Sequence, residues 1–148
     1  ERSQMDKIVF LCTGNTCRSP MAAGLFRALG GEQKTGLQAE SAGLFTTDGL
    51  PASENAVVAA GELGADICAH KSHVLTAQTV ADAKYLVCMT GAHYDRVLEK
   101  YPQAEDKLFT FTDTDIADPF GGNLQVYRAC AAQINQAAQQ VIERLSQG

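Results

Sequence analysis

Four consecutive apolar residues, Ile8-Val9-Phe10-Leu11, run straight into Cys12-Thr13-Gly14-Asn15-Thr16-Cys17-Arg18-Ser19-Pro20, and Met21 to Leu29 then takes helical spacing. The order is strand, tight loop, helix. Gly14 can adopt positive φ and Asn15 tolerates it better than most residues, so the loop can curl and aim several backbone N–H groups into one hollow. Ser19 is a favoured N-cap and Pro20 a favoured first helical residue, which sets the positive end of a helix dipole beneath that hollow. Arg18 adds a planar fork that can hold two oxygens of one phosphate. Cys12 stands at the mouth of this positive site, in surroundings that activate a cysteine as a nucleophile. Together these residues read as a phosphate-capturing nucleophile. A buried cysteine near a surface arginine would leave the Gly-Asn turn and the Ser-Pro helix start unexplained.

The rest of the chain provides a frame for such a loop. Leu37 to Ala42 reads as a second strand ending at Gly43, Pro51-Ala52-Ser53-Glu54 as a helix start, and Gly64 as that helix's end. Thr76 to Ala83 is a short helix, and Tyr85-Leu86-Val87-Cys88-Met89 fits a strand covered on both faces. Thr90 is placed to cap a helix whose Tyr94, Val97, Leu98 and Tyr101 face inward, with Pro102 beyond its end. Leu108-Phe109-Thr110-Phe111 is a fourth strand, and Asn123 to Leu145 is a long amphipathic helix carried by Tyr127, Cys130, Ile134, Ala138, Val141 and Leu145. Strands alternating with helices predict one α/β domain, a parallel sheet with helices on both faces and the phosphate-binding loop after the first strand. In such sheets the ligand site lies beyond the carboxyl ends of the strands, where the Cys12 loop falls.

A length of 148 residues fits a single domain with a substantial core. Residues 1–4, ahead of Met5, read as an expression-tag remnant outside the fold. The apolar run after Met5 is too short for a signal peptide or a membrane span, and five cysteines, an odd number, argue for reduced thiols, so a cytoplasmic protein is expected. A net charge of −5 argues against nucleic-acid and anionic-membrane partners, so any phosphate site must be built locally. A monomer acting without a cofactor is expected.

Phe10 to Ala22, with Cys12-Thr13-Gly14-Asn15-Thr16-Cys17-Arg18-Ser19-Pro20 at its centre, resembles the signature loop of the low-molecular-weight protein tyrosine phosphatase family. In its Thr16 it is especially similar to the bacterial protein-arginine phosphatases within that family. The resemblance extends over essentially the whole chain and implies a four-stranded sheet flanked by helices. It implies hydrolysis of phosphorylated protein side chains through a phosphocysteine, with phosphorylated proteins as partners. By itself Asp118-Pro119 only makes a turn. The resemblance matches Asp118-Pro119-Phe120 to the family's acid loop, whose Asp is the general acid, and matches Ser41 and His70 to residues that support the phosphate loop. Asp113 and Asp115 read as solvated loop residues.

Substrate choice turns on two positions. Tyrosine-specific members usually carry a bulky aliphatic residue where Thr16 stands, and a tyrosine-rich acid loop where Phe120 stands. A smaller residue with a hydroxyl favours a guanidinium-bearing substrate, so phosphoarginine is the expected substrate and phosphotyrosine the alternative. Thioredoxin-coupled arsenate reductases share a similar loop but need two further redox cysteines, the later ones close together, and Cys88 has no such neighbour. A phosphate-binding module without activity would need neither Cys12 nor Asp118.

The remaining cysteines and histidines have simpler readings. Cys17 can form a disulfide with Cys12 under oxidants, shielding it from irreversible oxidation. Ser19 is expected to hydrogen-bond the Cys12 sulfur as well as cap the helix. Cys68, His70 and His73 have a spacing that invites zinc, but no fourth ligand is in view and no metal site is expected. Cys88 and Cys130 fall at core-facing positions.

Overall fold

The computed structural model describes residues 5–146, so the expected tag remnant lies outside the described residues. Strand β1 (Asp6–Cys12) is followed by α1 (Arg18–Ala28), the short α2 (Gly31–Thr35), β2 (Leu37–Gly43) and α3 (Glu54–Glu62). The second half runs α4 (Ala77–Asp82), β3 (Ala83–Cys88), α5 (Gly91–Lys100), a 3-10 turn at Pro102–Lys107, β4 (Leu108–Thr110) and α6 (Leu124–Ser146). The four strands form one parallel sheet in the order β2-β1-β3-β4. This is the predicted α/β sheet. Connections leave β1 toward β2 on one side and reach β3 on the other, so the order reverses between β1 and β3, where ligands bind in sheets of this kind.

Alternation along β1 divides the core. Ile8, Phe10 and Cys12 face the layer formed by α1, α3 and α6, while Val9 and Leu11 face Val80, Val97 and Ala104 on the opposite side. Phe10 packs tilted against Phe26 and Phe111, with ring centroids 5.8 and 5.3 Å apart. Both faces of the central strands are therefore dry, which is why the sequence reads there as continuous apolar runs. The exposed edge of β2 is covered by side chains. Ala39 N–H donates to Glu32 at 2.8 Å, and Arg27 donates to the Ala39 carbonyl at 2.9 Å. Glu32 lies in α2, a helix missing from the sequence reading because five residues show no periodicity.

One predicted boundary is wrong. Helix α1 begins at Arg18, with Cys17 as N-cap and no side-chain cap, so Ser19 lies inside the helix and does not cap it. The Ser19 hydroxyl is occupied elsewhere, as described below. Thr90 does cap α5, accepting from the His93 N–H at 3.1 Å. Among the described residues no helix is long and apolar enough to cross a membrane.

Candidate active site

Cys12 ends β1 and is only 2% exposed. Its sulfur is hydrogen-bonded to Ser19 Oγ at 2.9 Å, and the same hydroxyl accepts from Asn15 Nδ2 at 2.7 Å. Asn15 is fully buried and takes a left-handed backbone, φ 57°, the one non-glycine residue among those described to do so. Four further bonds make that conformation persist. Nδ2 also donates to Ser41 Oγ at 3.0 Å, Oδ1 accepts from the His73 backbone N–H at 2.8 Å, the Asn15 carbonyl accepts from His70 Nε2 at 2.7 Å, and Gly43 N–H, two residues after Ser41, holds the His73 segment by donating to its carbonyl at 2.8 Å. Ser41 and His70 thus stand where they were expected, bonded to the loop through Asn15. Burial holds the His70 imidazole below its ordinary pKa, against the opposing pull of the Asn15 carbonyl. His73 touches Asn15 through its backbone and Cys68 is exposed, and no group of residues suited to a metal occurs among the described residues.

Residues 13–17 form the loop between Cys12 and α1, and the first turn of α1 presents its free N–H groups there. Gly14 and Thr16 form one wall of a shallow recess whose other lining includes Leu44, Thr46, Thr47 and Leu50. Leu44 N–H bonds the Cys12 carbonyl at 3.0 Å, which ties that wall to the loop.

Arg18 is 4% exposed. Nη1 donates to the Ile116 carbonyl at 2.9 Å, Nη2 lies 3.6 Å from Asp118 Oδ2, and Nε is buried without a protein partner. Fixed by one bond, the guanidinium keeps a donor for a phosphate oxygen. The segment carrying Asp118 is laid along the end of β3 by Phe111 N–H to the Cys88 carbonyl and Ile116 N–H to the Met89 carbonyl, at 2.8 and 3.0 Å. Asp118 Oδ1 accepts from Phe120 N–H at 3.0 Å, and Gly121, φ 83°, turns the chain toward α6. Phe120 projects outward, 76% exposed. Asp115 is exposed, as expected of a solvated loop residue, and its Oδ1 also accepts from Gly91 N–H at the start of α5. Asp113 is exposed.

Three site neighbours carried no signal in the sequence. His93 is buried in α5 and its Nε2 is hydrogen-bonded to Thr13 Oγ1 at 2.9 Å. Burial, with the nearby Arg18 charge, lowers its pKa from 6.5 to about 4, so it is a neutral imidazole at physiological pH. Tyr127 OH lies 3.4 Å from both Cys17 Sγ and Ser53 Oγ, and Ser53 N–H bonds the Thr16 carbonyl at 2.9 Å. The Cys17 side chain is therefore engaged by Ser53 and Tyr127, and all five cysteines are free thiols. Burial pushes Cys88 and Cys130 up to about 12, which makes both inert packing groups.

The chain is 41% identical to a protein-arginine-phosphatase of Geobacillus stearothermophilus, covering 94% of this chain and 95% of that protein. It is 30% identical to a probable low molecular weight protein-tyrosine-phosphatase, EpsP, of Ralstonia nicotianae, covering 93% and 94%. Among solved structures it superposes on a YwlE arginine phosphatase, a cysteine-to-serine mutant with a phosphorylated active-site serine, at TM-score 0.88 and 30% identity, covering 94% and 95%. The family model described as low molecular weight phosphotyrosine protein phosphatase matches residues 7–148, and the chain belongs to that family.

Proposed function

We propose that this protein hydrolyses phosphorylated arginine side chains of proteins through a phosphocysteine formed on Cys12. The observation that carries the chemistry is the convergence of Cys12, Arg18 and Asp118, with the Cys12 sulfur 2.9 Å from Ser19 Oγ and the Arg18 guanidinium 3.6 Å from the Asp118 carboxylate. The Cys12 thiolate attacks phosphorus, forming the S–P bond as the P–N bond breaks. Asp118 gives its proton to the departing guanidine nitrogen. Arg18 and the N–H groups of residues 13–17 hold the three non-bridging oxygens, most tightly in the transition state. Ser19 donates to the sulfur as negative charge returns to it. Water then attacks phosphorus, Asp118 takes the water's proton, the S–P bond breaks, and inorganic phosphate leaves with the thiolate restored. The cysteine-to-serine relative that carries a phosphoserine in its active site supports such a covalent step.

The choice of phosphoarginine rests on Thr16, which lines the mouth of the recess and offers an oxygen to a guanidinium N–H, and on the arginine-phosphatase relative at 41% identity. Phosphotyrosine is the second reading: although Phe120 replaces the tyrosine-rich acid loop of tyrosine-specific members, its exposed ring can still pack on an aromatic substrate. The experiment compares kcat/KM for a phosphoarginine peptide and a matched phosphotyrosine peptide, with wild type and Thr16→Ile. Preference for phosphoarginine in the wild type, swinging toward phosphotyrosine in the variant, supports the reading. Preference for phosphotyrosine in both would assign the protein to tyrosine phosphatases. An arsenate reductase would need a second redox thiol, and Cys88 is fully buried with its pKa raised to about 12.

A further inference from the structure

Phe45 is 62% exposed, second only to Phe120 among the large apolar side chains of the described residues. Its backbone is nevertheless fixed. Phe45 N–H donates to the Thr13 carbonyl at 2.9 Å, Leu44 N–H to the Cys12 carbonyl at 3.0 Å, and at the far end of the same loop Gly49 N–H bonds the Ser72 carbonyl at 2.9 Å. The ring is also held from one side, because the Arg96 guanidinium stacks on it with 4.5 Å to the centroid. An aromatic kept in water on a stiff backbone leaves apolar area unburied, and a partner that covers it has little left to order.

Two depressions meet at this ring. One is the recess beside Gly14 and Thr16. The other is a groove of about 320 Å³ behind Phe45, with an apolar floor of Leu44, Leu75, Val97 and Tyr101. Its rim carries Arg96 and Lys100 against a single carboxylate, Glu99. Among the described residues neither Arg96 nor Lys100 is in an ion pair. On a chain of net charge −5, this is a local cationic rim on an apolar floor, continuous with the phosphate loop.

We propose that this groove is a docking site for the substrate protein, taking an extended segment that flanks the phosphorylated residue and carries an apolar side chain next to an acidic one. With the phosphoryl group in the Cys12 loop, the flanking chain crosses the Phe45 ring. Its apolar side chain then sits on Leu75 and Val97, and its carboxylate meets Arg96. The proposal rests on the phosphatase reading and is independent of which phosphorylated side chain is cleaved.

The test is a positional scan in which a Leu-Glu pair is moved through both flanks of an otherwise Gly-Ser phosphopeptide, in phosphoarginine and phosphotyrosine versions. Wild type, Phe45→Ser and Arg96→Glu are compared, and p-nitrophenyl phosphate, too small to reach the groove, reports the basal reaction. Expected is one register in which kcat/KM rises about tenfold, mostly through KM, a rise lost in both variants while p-nitrophenyl phosphate turnover stays within about twofold. A flat scan in the wild type, or variants that lose the same factor on p-nitrophenyl phosphate, would overturn the docking site. Failure of phosphoarginine alone, with the register effect kept on phosphotyrosine peptides, would sink the arginine preference and leave the groove standing.

Discussion

Arg18 Nη2 lies 3.6 Å from Asp118 Oδ2, and the two side chains differ sharply in setting, 5% exposed for the arginine and 53% for the aspartate. The arginine is a fixed wall and the aspartate an exposed partner reachable by water and substrate. A phosphate entering the loop competes with the Asp118 carboxylate for the same guanidinium and is repelled by it. In the proposed reaction the group thus opposes anion binding as a carboxylate and, when protonated, supplies the proton that the leaving group needs.

Asp118→Asn therefore has two effects of opposite sign. Inhibition by inorganic phosphate becomes tighter, by roughly two- to fivefold, the size expected of an exposed charge. Turnover of a poor leaving group, such as an alkyl phosphate or a phosphoarginine peptide, falls by about 10²–10⁴. Turnover of p-nitrophenyl phosphate falls much less, because nitrophenolate departs without a proton. Equal losses on good and poor leaving groups would remove Asp118 from the acid role.

Asn15 concentrates the loop's support in one side chain. Asn15→Ala leaves the His73 N–H and the Ser41 hydroxyl without their Asn15 partner, removes one of the two partners of the Ser19 hydroxyl, and keeps a Cβ at φ 57° on a residue less tolerant of it than asparagine. Each group left unpaired costs about 1–3 kcal/mol, so for these two a loss of roughly 2–6 kcal/mol in unfolding free energy is expected. Asn15→Gly loses the same bonds but relieves the left-handed strain, and should be about 1 kcal/mol more stable than the alanine variant. Denaturant titration of the two checks the order. Alanine equal to or above glycine would mean the backbone there is unstrained.

What the sequence displayed was whatever depends on near neighbours. The strand-loop-helix order, the Thr90 cap and the amphipathic α6 are local patterns, and each stands in the structure. The Ser19 assignment failed for a reason local rules do not contain: its hydroxyl is taken by Cys12 Sγ and Asn15 Nδ2, and the helix starts two residues earlier, with Cys17 as N-cap. His93 and Tyr127 were silent because their partners, Thr13 and Cys17, are 80 and 110 positions away. Ser41 and His70 were visible only through likeness to a family, since nothing in a strand-end serine or a loop histidine announces Asn15.

His93 gives a pH signature. Its pKa is about 4 in the folded protein against an ordinary 6.5, so between those values the unfolded chain binds more protons at this site than the native one. Stability then rises with pH across that window: the contribution is complete above about 6.5 and is lost as pH falls toward about 4. His70, also lowered, adds in the same direction. His93→Gln, which can still hydrogen-bond Thr13 Oγ1, should flatten the dependence of unfolding free energy on pH between 4 and 6.5 without removing the His70 part. An unchanged slope would place His93 in water when folded, contrary to its 8% exposure.

Gly43 links the second strand to the phosphate loop by contact alone. A Cβ there would sit 2.9 Å from the Thr13 carbonyl oxygen, 2.9 Å from Thr46 Cγ2 and 3.0 Å from Asn15 Cβ. Two of the three neighbours belong to the loop, and neither can swing away as the end of a flexible side chain would. The sheet holds Gly43 in register opposite Cys12, so the loop must give. Gly43→Ala is expected to keep the fold and to lower kcat on p-nitrophenyl phosphate by about 10-fold to 10²-fold, because displacements well below 1 Å at a nucleophile are felt in the rate. Gly61→Ala, a glycine with nothing within 4 Å of the added carbon, is the matched control and should leave kcat unchanged. A Gly43→Ala enzyme of wild-type rate would show that the loop shifts without moving Cys12 relative to Arg18.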